Sequence, residues 1–361
     1  MRIAGILRPT FVACLLALVA APVYLIAQTA TPPPWAIPSH TTGQEEIAFD
    51  SGDARLVGTL YFPLDEARHS AMIVLHGASS PSSNLPLYRH LTQMLPPLGM
   101  AVFVYDRRGS GRSTGNAVSA LDFDVLASDA VAAREALATN SHVDSARIGF
   151  WGISLGGWLA ILTAAKDPQA AFAISVSAPL CTPDVQMNFA VANILRIHGN
   201  SAHDIDQALA ARTRVDDYLR GKAGRAAAQR ALDIVVHKPW FSLIYMSRTL
   251  EDPKTSTWLK QMQFDPLPAL SKVSAPILMI YGQADPWVPV ALSMQRLQSL
   301  AANQRNIETA VVDGAGHTMM LGVDPKDQVD PAFFRKEAPN APQYFAQLAA
   351  WLTRHNFASA H

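Results

Sequence analysis

Six apolar runs of strand length, at residues 71–75, 100–105, 147–151, 171–176, 276–281 and 307–312, alternate with stretches of helical spacing near 84–95, 122–139, 155–166, 290–303 and 341–355. Alternating strands and helices imply a mostly parallel central sheet with helices on both faces, an α/β fold. An opening hairpin precedes them, with Ile47 to Phe49 and Leu56 to Phe62 flanking a turn at residues 50–53. With 361 residues, 49% hydrophobic and 16% charged, the chain can bury one large core. Lys plus Arg equals Asp plus Glu at 29 each, and neither sign forms a long run, which gives no reason to expect nucleic acid as a partner. Ligands of such sheets bind at the carboxyl ends of the strands.

At one such end stands Gly152-Ile153-Ser154-Leu155-Gly156, where a buried strand runs straight into a helix. A sharp strand-to-helix turn strains the serine backbone and leaves no room for side chains at the flanking glycines. It also holds the hydroxyl above the sheet, beside the free N–H groups of a helix N-terminus. The ordinary reading is a glycine-rich turn with an N-cap serine. Ser154 as a nucleophile needs a general base and a carboxylate to orient that base. Asp285 follows the apolar run 276–281, and His317 lies on the loop after 307–312, so both stand at strand ends.

The order Ser154, Asp285, His317 at successive strand ends resembles the α/β-hydrolase fold family. His76-Gly77-Ala78-Ser79, after the run 71–75, is similar to that family's oxyanion loop. Asp106-Arg107-Arg108-Gly109-Ser110-Gly111-Arg112-Ser113 carries a D-x-R-G-x-G-x-S pattern that looks like the segment after the fourth strand in serine aminopeptidases, monoglyceride-lipase-like enzymes and related esterases. The resemblance spans roughly Glu45 to Asn356, apart from a divergent middle. It implies a catalytic triad of Ser154, Asp285 and His317, with the backbone N–H groups of Ala78 and Leu155 as the oxyanion hole.

Other residues have plainer expectations. His76 reads as a loop brace, because the family's base comes last in the chain. Asp106 and Arg108 read as an ion pair holding the loop around Gly109. Asp313, four residues before His317, is a rival orienting carboxylate.

Between Pro179 and about Asp265 the strand rhythm disappears, and Ile205 to Arg220 and Ala226 to Val236 show helical spacing. Residues 180–265 therefore read as a helical cap inserted into a catalytic domain made of 45–179 and 266–361. A cap over the serine would exclude water and select substrate. No metal-ligand spacing or phosphate-cradling loop is visible, so neither metal nor cofactor is expected.

The first 30 residues place Arg2 and Arg8 before an apolar stretch from Phe11 to Ala27, then a proline-rich segment, 31–44. That is the pattern of an export signal cleaved after Ala27 or Ala30, leading to a periplasmic or secreted enzyme. An uncleaved membrane anchor, with the catalytic domain outside the cytoplasm, is the alternative. Cleavage would leave Cys181 as the single cysteine and exclude an internal disulfide. The resulting expectation is an exported serine hydrolase that cleaves a small carboxylic ester through an acyl-enzyme. A serine peptidase of the aminopeptidase type acting on short peptides, and a thioesterase, are the alternatives. A hydrolase-like binding module is disfavoured because no triad member is missing.

Overall fold

The computed structural model describes residues 42–79, 81–116, 122–301, 305–330 and 340–359. The export or anchor segment, Cys14 and most of the proline-rich linker lie outside the described residues. Strand β1 (Thr42–Ser51) begins three residues inside the segment read as linker. Its partner β2 (Ala54–Pro63) is long enough to pair Thr42 with Pro63, so those backbone groups enter the ladder. The hairpin between them turns at Gly52, whose φ of 57° suits glycine.

The remaining strands are β3 (His69–Leu75), β4 (Met100–Tyr105), β5 (Val143–Ile153), β6 (Ala173–Val176), β7 (Ile277–Gly282) and β8 (Ile307–Val312). They form one eight-stranded sheet in the order β1-β2-β4-β3-β5-β6-β7-β8. Pairing is antiparallel for β1 with β2 and β2 with β4, and parallel from β4 across to β8. Every residue of β4 and β7 is buried, as their unbroken apolar runs require.

The helices in chain order are α1 (Pro86–Met94), α2 (Phe123–Ala138), α3 (Leu155–Lys166), α4 (Pro183–Ile197), α5 (Ala202–Leu219), α6 (Arg225–Val235), α7 (Thr257–Met262), α8 (Pro266–Leu270), α9 (Val290–Ala301), α10 (Pro325–Gln328) and α11 (Pro342–Arg354). Because side chains alternate across a strand, the sheet feeds two cores. On one face Ile73, Phe103 and Phe150 pack with Leu126 of α2 and Leu159 of α3. On the other, Met72, Val102 and Trp151 pack with Leu91 of α1 and Trp351 of α11. Fully burying a large apolar side chain contributes roughly 1.5–3 kcal/mol, so these two layers hold the strand ends in place.

Between β6 and β7 the chain forms α4 to α8, and Val191, Leu195, Ile205, Leu232, Trp240 and Phe241 make a separate apolar cluster there. Helix α4 did not stand out in the helical spacing of that region. Its start was nonetheless signalled, with Pro183 at the first helical position and Asp184 in the first turn.

Candidate active site

Ser154 is the residue between β5 and α3, with φ 57° and ψ −121°. A left-handed φ is costly for a residue with a Cβ and persists only where the surroundings over-determine it. The surroundings here are tight. A Cβ on Gly152 would strike the Gly156 carbonyl, and one on Gly156 would strike the Leu75 carbonyl at the end of β3. The Ser154 N–H donates to Val176 O of β6 at 2.8 Å, tying the bend to the sheet. The Ser154 side chain makes no capping hydrogen bond to α3, so the N-cap reading of this serine does not describe it.

His317 and Asp285 meet across the ends of β8 and β7. His317 Nδ1–H donates to Asp285 Oδ2 at 2.8 Å, and both side chains are buried. The other carboxylate oxygen, Oδ1, accepts from the N–H groups of Trp287 at 2.8 Å and Val288 at 3.1 Å. Three donors thus hold Asp285, and Asp285 in turn fixes the ring with Nδ1 protonated and Nε2 free to accept a proton. Asp313 is exposed, and its backbone N–H donates to Gln343 Oε1 at 3.2 Å. The carboxylate beside the histidine is therefore Asp285.

Ser154 and His317 line one cavity of about 230 Å³ together with Gly77, Ala78, Ser79 and Leu155. Leu155 is the first residue of α3, so its N–H has no intrahelical acceptor. The rest of the wall is largely apolar, built from Phe123 and Trp158 below and from Met187, Tyr245 and Trp258 of the β6–β7 segment. Trp287 closes one side, with its Nε1–H on Gln328 O at 2.9 Å and its carbonyl accepting from Gln186 Nε2 at 2.9 Å. Which residues between β6 and β7 reach the cavity had no signal in sequence. Trp287, two residues beyond Asp285, could have been found from that adjacency.

A second chamber of about 240 Å³ lies within the β6–β7 segment and shares Met187, Tyr245 and Trp258 with the first. Its polar lining includes Arg212, Asp216 and Glu251. Trp258 Nε1–H donates to Asp216 Oδ1 at 2.8 Å, and burial pushes the Asp216 carboxyl up from its ordinary value despite that bond. Arg212 is pinned by Ile244 O at 2.7 Å and Asn188 Oδ1 at 3.1 Å.

His76 is a brace rather than a base. Its buried ring sits edge-on to Tyr88 and Tyr105, and burial with the neighbouring Arg107 charge lowers its pKa to about 3. The expected pair of Asp106 with Arg108 does not form. Arg108 instead binds Asp129 through Nη2 at 2.6 Å and Nε at 2.8 Å, and Asp53 through Nη1 at 2.9 Å. Asp106 accepts from the N–H groups of Ser83 at 2.7 Å and Arg112 at 2.9 Å, and against the cost of burial these donors keep its pKa low. Two residues apart on a tight turn, the Asp106 and Arg108 side chains leave in different directions. Cys181 is buried, and burial pushes its thiol up to about 12, which suits a packing residue. Among the described residues no group of three His, Cys, Asp or Glu side chains could hold a metal ion.

A family model described as serine aminopeptidase, S33, matches residues 66–324, more than half of the chain. The chain belongs to that family. It is similar to the monoacylglycerol lipase of Mycolicibacterium smegmatis, with 25% identity over 80% of this chain and 95% of the relative. It is also similar to human monoglyceride lipase, with 32% identity over 41% of this chain and 50% of the relative. Among solved structures, the esterase Pf2001 of Pyrococcus furiosus superposes with a TM-score of 0.56 and 18% identity over 86% of this chain and 91% of that one, a likeness of fold. The protein is a serine hydrolase with the α/β-hydrolase fold, and its substrate is a small molecule.

Proposed function

We propose that this enzyme hydrolyses a carboxylic ester through an acyl-enzyme, with Ser154 as nucleophile, His317 as base and Asp285 as its orienting partner. The observation that carries the reading is the His317–Asp285 hydrogen bond of 2.8 Å beside a mostly apolar cavity that Ser154 also lines. Ser154 Oγ attacks the carbonyl carbon as His317 Nε2 takes its proton. Asp285 stabilises the resulting imidazolium, and the N–H groups of Ala78 and Leu155 bind the oxyanion. The tetrahedral species collapses, the C–O bond to the alcohol breaks, and His317 gives its proton to the departing oxygen. Water then attacks the acyl-Ser154 carbonyl with His317 again as base, releasing the acid and restoring the serine.

The apolar wall of Phe123, Trp158, Met187 and Trp258 suits an acyl or alkyl group. A second reading, cleavage of a short peptide from its free amino end, is favoured by one observation. The inner chamber carries the carboxylates of Asp216 and Glu251; Arg212, in the same lining, neighbours Asp216, and Glu251 is the one that suits a cation. A panel of p-nitrophenyl esters of graded chain length beside aminoacyl and prolyl anilides separates the two. Ester turnover with little anilide turnover is expected, and the reverse would establish the peptidase reading. Ser154→Ala should abolish turnover by several orders of magnitude with folding intact. A fluorophosphonate should label the wild type at Ser154 only, and labelling elsewhere would sink the nucleophile assignment. We further propose that the enzyme is exported and acts outside the cytoplasm, on the strength of the Arg2-to-Ala27 pattern.

A further inference from the structure

Arg107 occupies the first of three variable positions in the D-x-R-G-x-G-x-S window, so the motif itself assigns it nothing. It is nevertheless only 4% exposed, and among the described residues no carboxylate stands within ion-pair distance of it. A buried, unpaired guanidinium is costly, by several kcal/mol before compensation. The compensation here comes from one short loop. Arg107 Nη2 donates to Gly77 O at 2.6 Å and to His76 O at 3.0 Å, and Nη1 donates to Ala78 O at 3.2 Å. The Arg107 backbone N–H donates to Pro81 O at 2.9 Å, closing the same loop from its far end.

In a planar trans peptide the carbonyl and the following N–H point in opposite directions, and the described chain has no cis bond. The Gly77 carbonyl and the Ala78 N–H belong to one such unit. Holding Gly77 O against Arg107 therefore turns the Ala78 N–H away from Arg107, on the side where Gly77, Ala78 and Ser79 line the cavity with Ser154. The same peptide also links the guanidinium charge to the donor. A cation on the carbonyl oxygen polarises the amide and strengthens the hydrogen bond its N–H gives. A flipped Gly77–Ala78 unit would lose its contact with Arg107 and present a carbonyl where a negative charge develops.

We propose that Arg107 is a positioning residue for the oxyanion hole: it locks the Gly77–Ala78 peptide in the orientation that aims the Ala78 N–H into the site and polarises that donor. The inference rests on the acyl-enzyme reading above and on Ala78 as one of its two donors. Arg108, the residue the motif does specify, serves a different purpose, because its ion pairs with Asp129 and Asp53 point away from this loop.

The test compares wild type, Arg107→Met and Arg107→Lys in the full chain. Competent sites are counted by end-point fluorophosphonate labelling, and kcat and KM for a p-nitrophenyl ester are expressed per labelled site. Loss of one oxyanion donor lowers kcat by about 10²–10³. A loss of that order is expected for Arg107→Met, with KM within roughly threefold. Arg107→Lys keeps the charge but offers one tetrahedral nitrogen in place of the planar fork whose two nitrogens span the three carbonyls, so it should fall between the two and serves alone if the Met variant does not fold. Binding of an alkyl trifluoromethyl ketone, which forms an anionic hemiketal with the serine, should weaken by the same factor as kcat/KM. If the variants lose labelled sites but keep wild-type kcat per site, Arg107 supports folding alone and the inference is overturned. A fall in kcat with unchanged ketone affinity overturns it too. Should Ser154→Ala stay active or Ser154 go unlabelled, the acyl-enzyme reading fails instead, which separates the two failures.

Discussion

Replacing Asp285 by Asn tests the site at its most constrained point. Asp285 Oδ1 is fixed by the N–H groups of Trp287 and Val288, while Oδ2 faces His317 Nδ1. An amide at this position must keep its oxygen toward the two backbone donors, because turning its NH2 there would set donor against donor. The NH2 then faces His317, whose Nδ1 becomes an acceptor and whose Nε2 carries the proton. That tautomer cannot take a proton from Ser154. The charge that would stabilise the imidazolium is lost as well. A unit pair about 4 Å apart at an effective dielectric near 20 is worth roughly 4 kcal/mol, or about 10³ in rate. With the tautomer effect added, kcat for an ester should fall by about 10³–10⁴ while KM changes little. Steady-state kinetics on purified protein, with circular dichroism to confirm folding, gives the answer. Asp285→Ala, which removes the amide donor, should be no worse than Asp285→Asn despite its lost volume. Asp313→Asn, at an exposed position, should stay within about threefold of wild type. Asp285→Asn retaining a tenth of the wild-type kcat, or Asp313→Asn matching its loss, would refute the reasoning.

Gly156→Ala places a Cβ against the Leu75 carbonyl, where backbone rather than a side chain must give way. It should cost about 1–3 kcal/mol or more and lower Tm by roughly 2–4 °C for each, with a larger fall in activity because Leu75 leads into the oxyanion loop; Gly224→Ala, which meets open space, is the control in the same melting experiment. Burial lowers the His76 pKa to about 3 and the His90 pKa to about 4 from 6.5. Above pH about 6.5 both rings are neutral in either state; below it the unfolded chain takes up protons that the folded chain refuses, so stability falls with pH. Each ring should remove about 2 kcal/mol between pH 7 and pH 5 in urea unfolding. His90→Phe should halve that slope, and an unchanged slope would show that the buried histidines do not govern it. Mass spectrometry of the exported protein should find a mature chain beginning near Gln28 or Thr31, and an intact Met1 in a salt-resistant membrane fraction would establish the anchor instead.

Much of the catalytic frame was legible because its causes are local in the chain. Strands β4 and β7 lie where unbroken apolar runs put them, since a strand buried on both faces needs no alternation, whereas β8 at the sheet edge keeps Glu308 and Thr309 and is mostly half-buried. The bend at Ser154 could be read from Gly152 and Gly156, whose missing side chains are a steric requirement of the turn itself. Helix α4 is hard to read from sequence because Val185 and Phe189 are exposed and Met187 is half-buried against the cavity, which blurs the apolar stripe.

The sequence by itself determined the sheet, the strand ends and the residue types brought to them. It favoured Asp285 over Asp313 by its place at the next strand's end and by Asp313 lying only four residues before His317, but it could not show which carboxylate meets the ring. Only the tertiary structure shows that contact, by setting Asp285 Oδ2 on His317 Nδ1 under the Trp287 and Val288 N–H groups and leaving Asp313 in water. It also decided that Arg107 turns inward to the carbonyls of residues 76–78 while Arg108 turns to Asp129, a difference invisible in two adjacent letters. The cavity wall has the same origin, as Gln186 meets the Trp287 carbonyl from 101 residues away. Partners so distant in the chain leave no local pattern, because the energy of each contact depends on where the fold carries its two ends.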